Sequence, residues 1–140
     1  VSKPIGVTMS GPFADSIAGA NLVEVALRRL EIEAPQLQLG AVHLEKNLPV
    51  AAGIGGGSAD AAAMIRAVTS ANLEHVEDVN WLDFAQKLGA DVPVCLVSHA
   101  AWMTGIGEKV RALSGLPQIN AVLVNPLAAM PPVRAFARPP

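Results

Sequence analysis

Apolar residues recur at helical spacing in three stretches of this chain and alternate with polar ones in several shorter stretches. Val23, Ala26, Leu27 and Leu30 fall at i, i+3, i+4 and i+7, which is one face of a helix. Asn21 stands at its N-cap position, Glu24 three positions on completes a capping box, and Pro35 prevents continuation. A second stripe, Ala61, Met64, Ile65 and Val68, predicts a helix over 59–71. Asn80, with Asp83 three positions on, caps a third helix whose stripe is Trp81, Phe84, Ala85 and Leu88 and whose stop is Gly89. Strand-like segments are 7–9, 37–44 with a bulge at Gly40, the apolar run 94–97, 101–104, the alternating 109–113 and the apolar 121–124, ended by Asn125-Pro126. Residues 73–79 read as a polar connection, and Gly105-Ile106-Gly107 as a turn. The tail, with Pro131, Pro132, Pro139 and Pro140, holds no reliable element. Helices and strands mix without strict alternation. That order predicts an α+β fold, with helices packed on one side of a mostly antiparallel sheet.

Composition narrows the picture. A chain of 140 residues, 51% hydrophobic and 16% charged, fits one domain able to bury a core. With three Phe and two Trp, that core is built from Ala, Val, Leu and Ile, and Trp81, Phe84 and Trp102 read as core rather than base-stacking groups. A net charge of -2 points to neither nucleic acid nor an anionic membrane as partner. No apolar run reaches the roughly 18 residues of a membrane span, and no signal-peptide pattern opens the sequence. Cys95 is the single cysteine, which excludes an internal disulfide and a Cys-based metal site and suits a reducing cytoplasm. In the apolar 94–97 run it reads as a small buried hydrophobe. His43, His75 and His99 share no metal-ligand spacing. The chain begins at Val1 in mid-pattern and ends in Arg138-Pro139-Pro140, so it reads as a fragment. Oligomeric state is left open.

No hydrophobic core needs the arrangement of one stretch, which would otherwise be a flexible linker or a close-packed turn: Pro49-Val50-Ala51-Ala52-Gly53-Ile54-Gly55-Gly56-Gly57-Ser58-Ala59-Asp60. Four glycines fall in five positions, between a strand-like and a helical segment. Glycine lets backbone N–H groups converge unhindered, and a following helix adds free donors and a positive dipole end, so the stretch predicts a phosphate site. It is not a P-loop, because no Lys follows any of the glycines. It is not a dinucleotide turn either, because Ser58 stands at the third glycine position and Glu74 lies in a polar connection.

Pro-x-x-x-Gly-Ile-Gly-Gly-Gly-Ser-x-Asp-Ala-Ala, read from Pro49 to Ala62, resembles the glycine motif of the GHMP small-molecule kinases. Asn21-Leu22-Val23, Leu88-Gly89-Ala90-Asp91-Val92-Pro93 and Gly105-Ile106-Gly107-Glu108 match further family stretches in the same order, so the resemblance covers residues 10–126. It implies the family's N-terminal, ATP-binding domain over 1–140, of the ribosomal protein S5 domain 2-like fold and incomplete, without the C-terminal domain. The implied reaction is transfer of the ATP γ-phosphate to a hydroxyl of a small molecule, a cytidine diphosphate-linked sugar alcohol of isoprenoid precursor synthesis. Pro49 through Ala59 would wrap the phosphates, Ser58 would meet a phosphate oxygen or Mg2+, and Asp91 would take the proton from the attacking hydroxyl. Ala59 replaces a second serine usual in the family. A family strand carrying a catalytic Lys is not matched, and Lys3 does not take its role.

Blander readings stand beside these. Ser58 caps a helix equally well, Asp60 favours a first helical turn, Lys46 at a strand end is ordinarily solvated, and Glu108 flanks a turn. Two rivals to the leading function remain open. One is a related kinase for homoserine, mevalonate or a sugar, against which the 89–93 segment argues. The other is a non-catalytic nucleotide-binding or structural remnant.

Overall fold

A computed structural model describes residues 5–17 and 19–124. Lys3, Pro4, Asn125-Pro126 and the Pro-rich tail lie outside the described residues. In chain order the elements are β1 (Gly6–Ser10), α1 (Leu22–Glu33), β2 (Ala41–Glu45), α2 (Gly56–Ala71), α3 (Trp81–Leu88), α4 (Val92–Val97), β3 (Ala101–Thr104) and β4 (Lys109–Ala112). Short 3-10 helices span Ala14–Ser16 and Leu73–Asp78.

The helix stripes bury as the spacing predicts. Val23, Ala26, Leu27 and Leu30 of α1 meet Ala61, Ala62, Met64, Ile65 and Val68 of α2 in one core, closed by Phe84, Ala85 and Val92. The alanines of α2 keep it thin, and it packs between α1 and α4. Asn21 caps α1 by accepting the Val23 N–H at 2.8 Å. Glu24 does not complete the capping box: its carboxylate pairs with Arg28 one turn on.

The sheet differs from expectation. Instead of one mostly antiparallel sheet, the described residues form two two-stranded sheets, β1–β2 parallel and β3–β4 antiparallel. The reason is connectivity. α1 crosses between β1 and β2, and a crossover helix returns the chain to pair in parallel, whereas the short turn between β3 and β4 forces an antiparallel hairpin. Val7, Val42 and Leu44 of the parallel pair pack on the helical core. Its other face carries His43, hydrogen-bonded to the hydroxyls of Thr8 and Ser10.

Other expectations are corrected too. Residues 94–97 are the body of helix α4, with Pro93 in its first turn and Cys95 N–H donating to the Asp91 carbonyl. Four apolar residues alone do not distinguish helix from strand, and Pro93 sets φ for the helix start. Cys95 is half-buried there rather than in a strand. Residues 37–39 are not strand, because Asn72 occupies the place of a partner: its Oδ1 accepts the Gln38 N–H and its Nδ2 donates to the Gln38 carbonyl. Residues 121–124 form no strand; Val122 is 90% exposed and nothing among the described residues pairs with it. Residues 73–78 of the polar connection are wound into a 3-10 helix.

Candidate active site

Between β2 and α2 the chain wraps a cavity of about 320 Å3. Pro49, Val50, Ala51, Ala52, Gly53, Ile54, Gly55, Gly56, Gly57 and Ser58 all line it; Ala59 does not. Ile17, Ala20, Asn21, Leu22, Lys46 and Leu48 complete the wall. The loop turns by placing every second residue in the left-handed region: Ala51 at φ 56°, Gly53 at 72° and Gly55 at 71°. Alternation of this kind turns backbone N–H groups toward one side of the chain.

The helix starts earlier than expected, at Gly56 rather than Ala59. Its first intrahelical bond runs from the Ala59 N–H to the Gly55 carbonyl at 2.9 Å. Gly56, Gly57 and Ser58 therefore form the first turn, where backbone N–H groups have no acceptor within the helix. All three residues lie in the cavity wall. Gly55, the N-cap residue, has no side chain to occupy those donors and accepts the left-handed backbone without strain. The arrangement can hold an anion at the positive end of a 16-residue helix.

Lys46 is not solvated. Its side chain is 10% exposed and its ammonium lies 2.7 Å from the Asp60 carboxylate, which is 28% exposed. Sequence reading missed this pair. Opposite charges flank the loop, but a separation of 14 residues brings them together only once the loop closes.

Asp91 is not brought into this cavity wall. It occupies the N-cap position of α4, is exposed, and its side chain makes no capping bond. Among the described residues its carboxylate has no hydrogen-bond or ion-pair partner. It sits one turn before Cys95, whose thiol is pushed up by burial and, second, by the Asp91 charge. The Gly105-Ile106-Gly107 turn packs beside it: a Cβ at Gly107 would lie 2.5 Å from the Ala90 carbonyl oxygen. Glu108 folds back so that its carboxylate accepts the Ile106 N–H at 2.7 Å.

No group of three His, Cys, Asp or Glu able to hold a metal occurs among the described residues. Ser58 is half-buried in the cavity wall, and its hydroxyl fits as one ligand of an ion that arrives already bound to phosphates. No helix among the described residues is long and apolar enough to cross a membrane.

Comparison with known proteins gives the site a context. The chain is 50% identical over 124 residues to 4-diphosphocytidyl-2-C-methyl-D-erythritol kinase of Rhodopseudomonas palustris, covering 87% of this chain and 41% of that one. It is 45% identical over 135 residues to the enzyme of the same name from Methylobacterium radiotolerans, covering 95% of this chain and 47% of the relative. A crystal structure of 4-(cytidine 5'-diphospho)-2C-methyl-D-erythritol kinase superposes with a TM-score of 0.58 at 36% identity, over 84% of this chain and 40% of that one. The chain thus spans less than half the length of these relatives. The family model for the GHMP kinases N terminal domain matches residues 21–99, which hold the α1 cap, the glycine loop, α2 and Asp91. The glycine loop and the start of α2 make most of the cavity wall, and on that match the chain belongs to the GHMP kinase family.

Proposed function

We propose that this chain is the ATP-binding, N-terminal domain of a 4-diphosphocytidyl-2-C-methyl-D-erythritol kinase. The protein carrying it would phosphorylate a hydroxyl of that cytidine diphosphate-linked sugar alcohol in non-mevalonate isoprenoid precursor synthesis. One observation carries the reading: Gly56, Gly57 and Ser58, the first-turn residues whose N–H groups have no acceptor within the helix, line an open cavity walled mainly by the loop. The names of the relatives supply the substrate.

In this reading the loop from Pro49 to Ala59 receives the ATP phosphates through backbone donors. The α2 dipole and these donors act on charge that spreads over the phosphoryl oxygens during transfer. Ser58 presents its hydroxyl to a phosphate oxygen and to the Mg2+ that accompanies the nucleotide, where the ion neutralises phosphate charge. Asp91 accepts the proton of the attacking hydroxyl; its exposed carboxylate, with no bond to the α4 backbone, keeps its lone pairs available. A cytoplasmic setting goes with the reading, since ATP is the donor and Cys95 is a free thiol.

Turnover decides between this and its rivals. Asp91→Asn in the protein carrying this chain lowers kcat by at least about 100-fold, the range of a lost general base, while ATP affinity changes less than about twofold. Retained turnover removes Asp91 from the mechanism. Nucleotide binding without catalysis is the second reading, favoured by the position of Asp91 outside the cavity wall. A wild-type protein that binds ATP but phosphorylates no alcohol selects it. Preference for homoserine, mevalonate or a sugar selects a different member of the family.

A further inference from the structure

Lys46 and Asp60 stand at the two ends of the glycine loop and meet across its base. Lys46 follows directly on β2, and Asp60 lies just beyond the first turn of α2. The backbone of Lys46 is pinned on both sides: its N–H donates to the Ser10 carbonyl at 2.7 Å, and its carbonyl accepts the Phe13 N–H at 3.2 Å. The ammonium is thus delivered from a fixed strand end to the Asp60 carboxylate, 2.7 Å away and largely out of solvent. Between them, nothing comparable holds the loop. Among the described residues no backbone hydrogen bond ties 47–54 to another element; the turn at Val50-Ala51 closes only on the loop itself, and Ala51 is held in the left-handed region at φ 56°, which an alanine does not choose.

We propose that the Lys46–Asp60 pair is the clasp that sets the shape of the glycine loop. It acts as a positioning pair: the ammonium is engaged by Asp60, and the phosphate is left to the backbone donors of the loop and α2. Without the clasp, the loop ends part and the donors of Gly56, Gly57 and Ser58 lose the wall that faces them. The consequence for nucleotide binding rests on the kinase reading; the effect on the loop itself does not.

15N relaxation of the whole chain tests this, with order parameters in α1 as the fold control. Asp60→Asn and Lys46→Met each lower the order parameters of the 50–57 amides from the rigid range of about 0.85 to below about 0.6. Lys46→Met combined with Asp60→Asn lowers them no further than either alone, because the two groups act as one unit. Lys46→Arg keeps the loop rigid. Where a single variant also loosens α1, the double variant decides, since it leaves no unpaired charge inside. A mobile 50–57 segment beside a rigid α1 supports the clasp, and order parameters like wild type overturn it. ATP affinity, measured on the same samples, falls about tenfold in the single variants if the clasp positions the phosphate donors. Should the wild type bind no ATP, the kinase reading fails while the order parameters still decide the clasp.

Discussion

Asn72 shows how one side chain can decide between two local structures. Its amide makes both hydrogen bonds to Gln38 that a neighbouring strand would make, and its Nδ2 also donates to the Val68 carbonyl at the end of α2. Residues 37–39 are therefore tied to a helix end instead of a sheet. Asn72→Ala removes the partner of the part-buried Gln38 N–H and carbonyl and one bond to the buried Val68 carbonyl, and costs about 2 kcal/mol, a loss read from the denaturant midpoint. Such a bond, 34 residues apart in sequence, has no local signature, so a strand was the natural expectation there. Gly107 is the opposite case, because a Gly-x-Gly turn announces itself. What its spacing hides is the target. At φ 105°, with a Cβ 2.5 Å from the Ala90 carbonyl oxygen, Gly107→Ala must move the segment that carries Asp91. It costs about 2–3 kcal/mol, and in the kinase reading lowers kcat more than it weakens ATP binding.

At the scale of elements, periodicity served the helices well because their packing is amphipathic and local. α1 and α2 meet through Ala26, Leu27, Leu30, Ala61 and Ile65, all fully buried. Leu27→Ala opens a cavity in that seam and destabilises by about 3 kcal/mol in thermal or denaturant melts. Short apolar runs were less legible. Residues 94–97 carry no period, and only Pro93 and the Asp91 cap position separate helix from strand. The β3–β4 hairpin has a pH signature. Glu108 accepts hydrogen bonds from its own N–H and from that of Ile106, which hold its carboxyl below the ordinary value near 4.5. A lowered carboxyl favours the folded turn above that ordinary value, and the benefit is lost as pH falls through the lower folded-state value. The Ile106 amide resonance accordingly titrates with a midpoint below 4.5, and in Glu108→Gln it does not titrate over that range.

For the whole molecule, the α+β class and the loop–helix motif were legible because they depend on residue types in fixed order. The topology was not legible: pairing of β1 with β2 depends on where α1 returns the chain, and 30 or more residues separate the partners. Nor was the ion pair of Lys46 and Asp60, which becomes visible once the loop closes. The central claim is that this closed loop and the first turn of α2 receive a nucleotide phosphate. Titration of the isotope-labelled chain with ATP and Mg2+, followed by amide resonances, tests it most directly. The account predicts that Gly56, Gly57 and Ser58 shift together and saturably, ahead of amides in α3 and the β3–β4 hairpin. Saturable binding of ATP that leaves these three amides unmoved, or no binding at all, would contradict it.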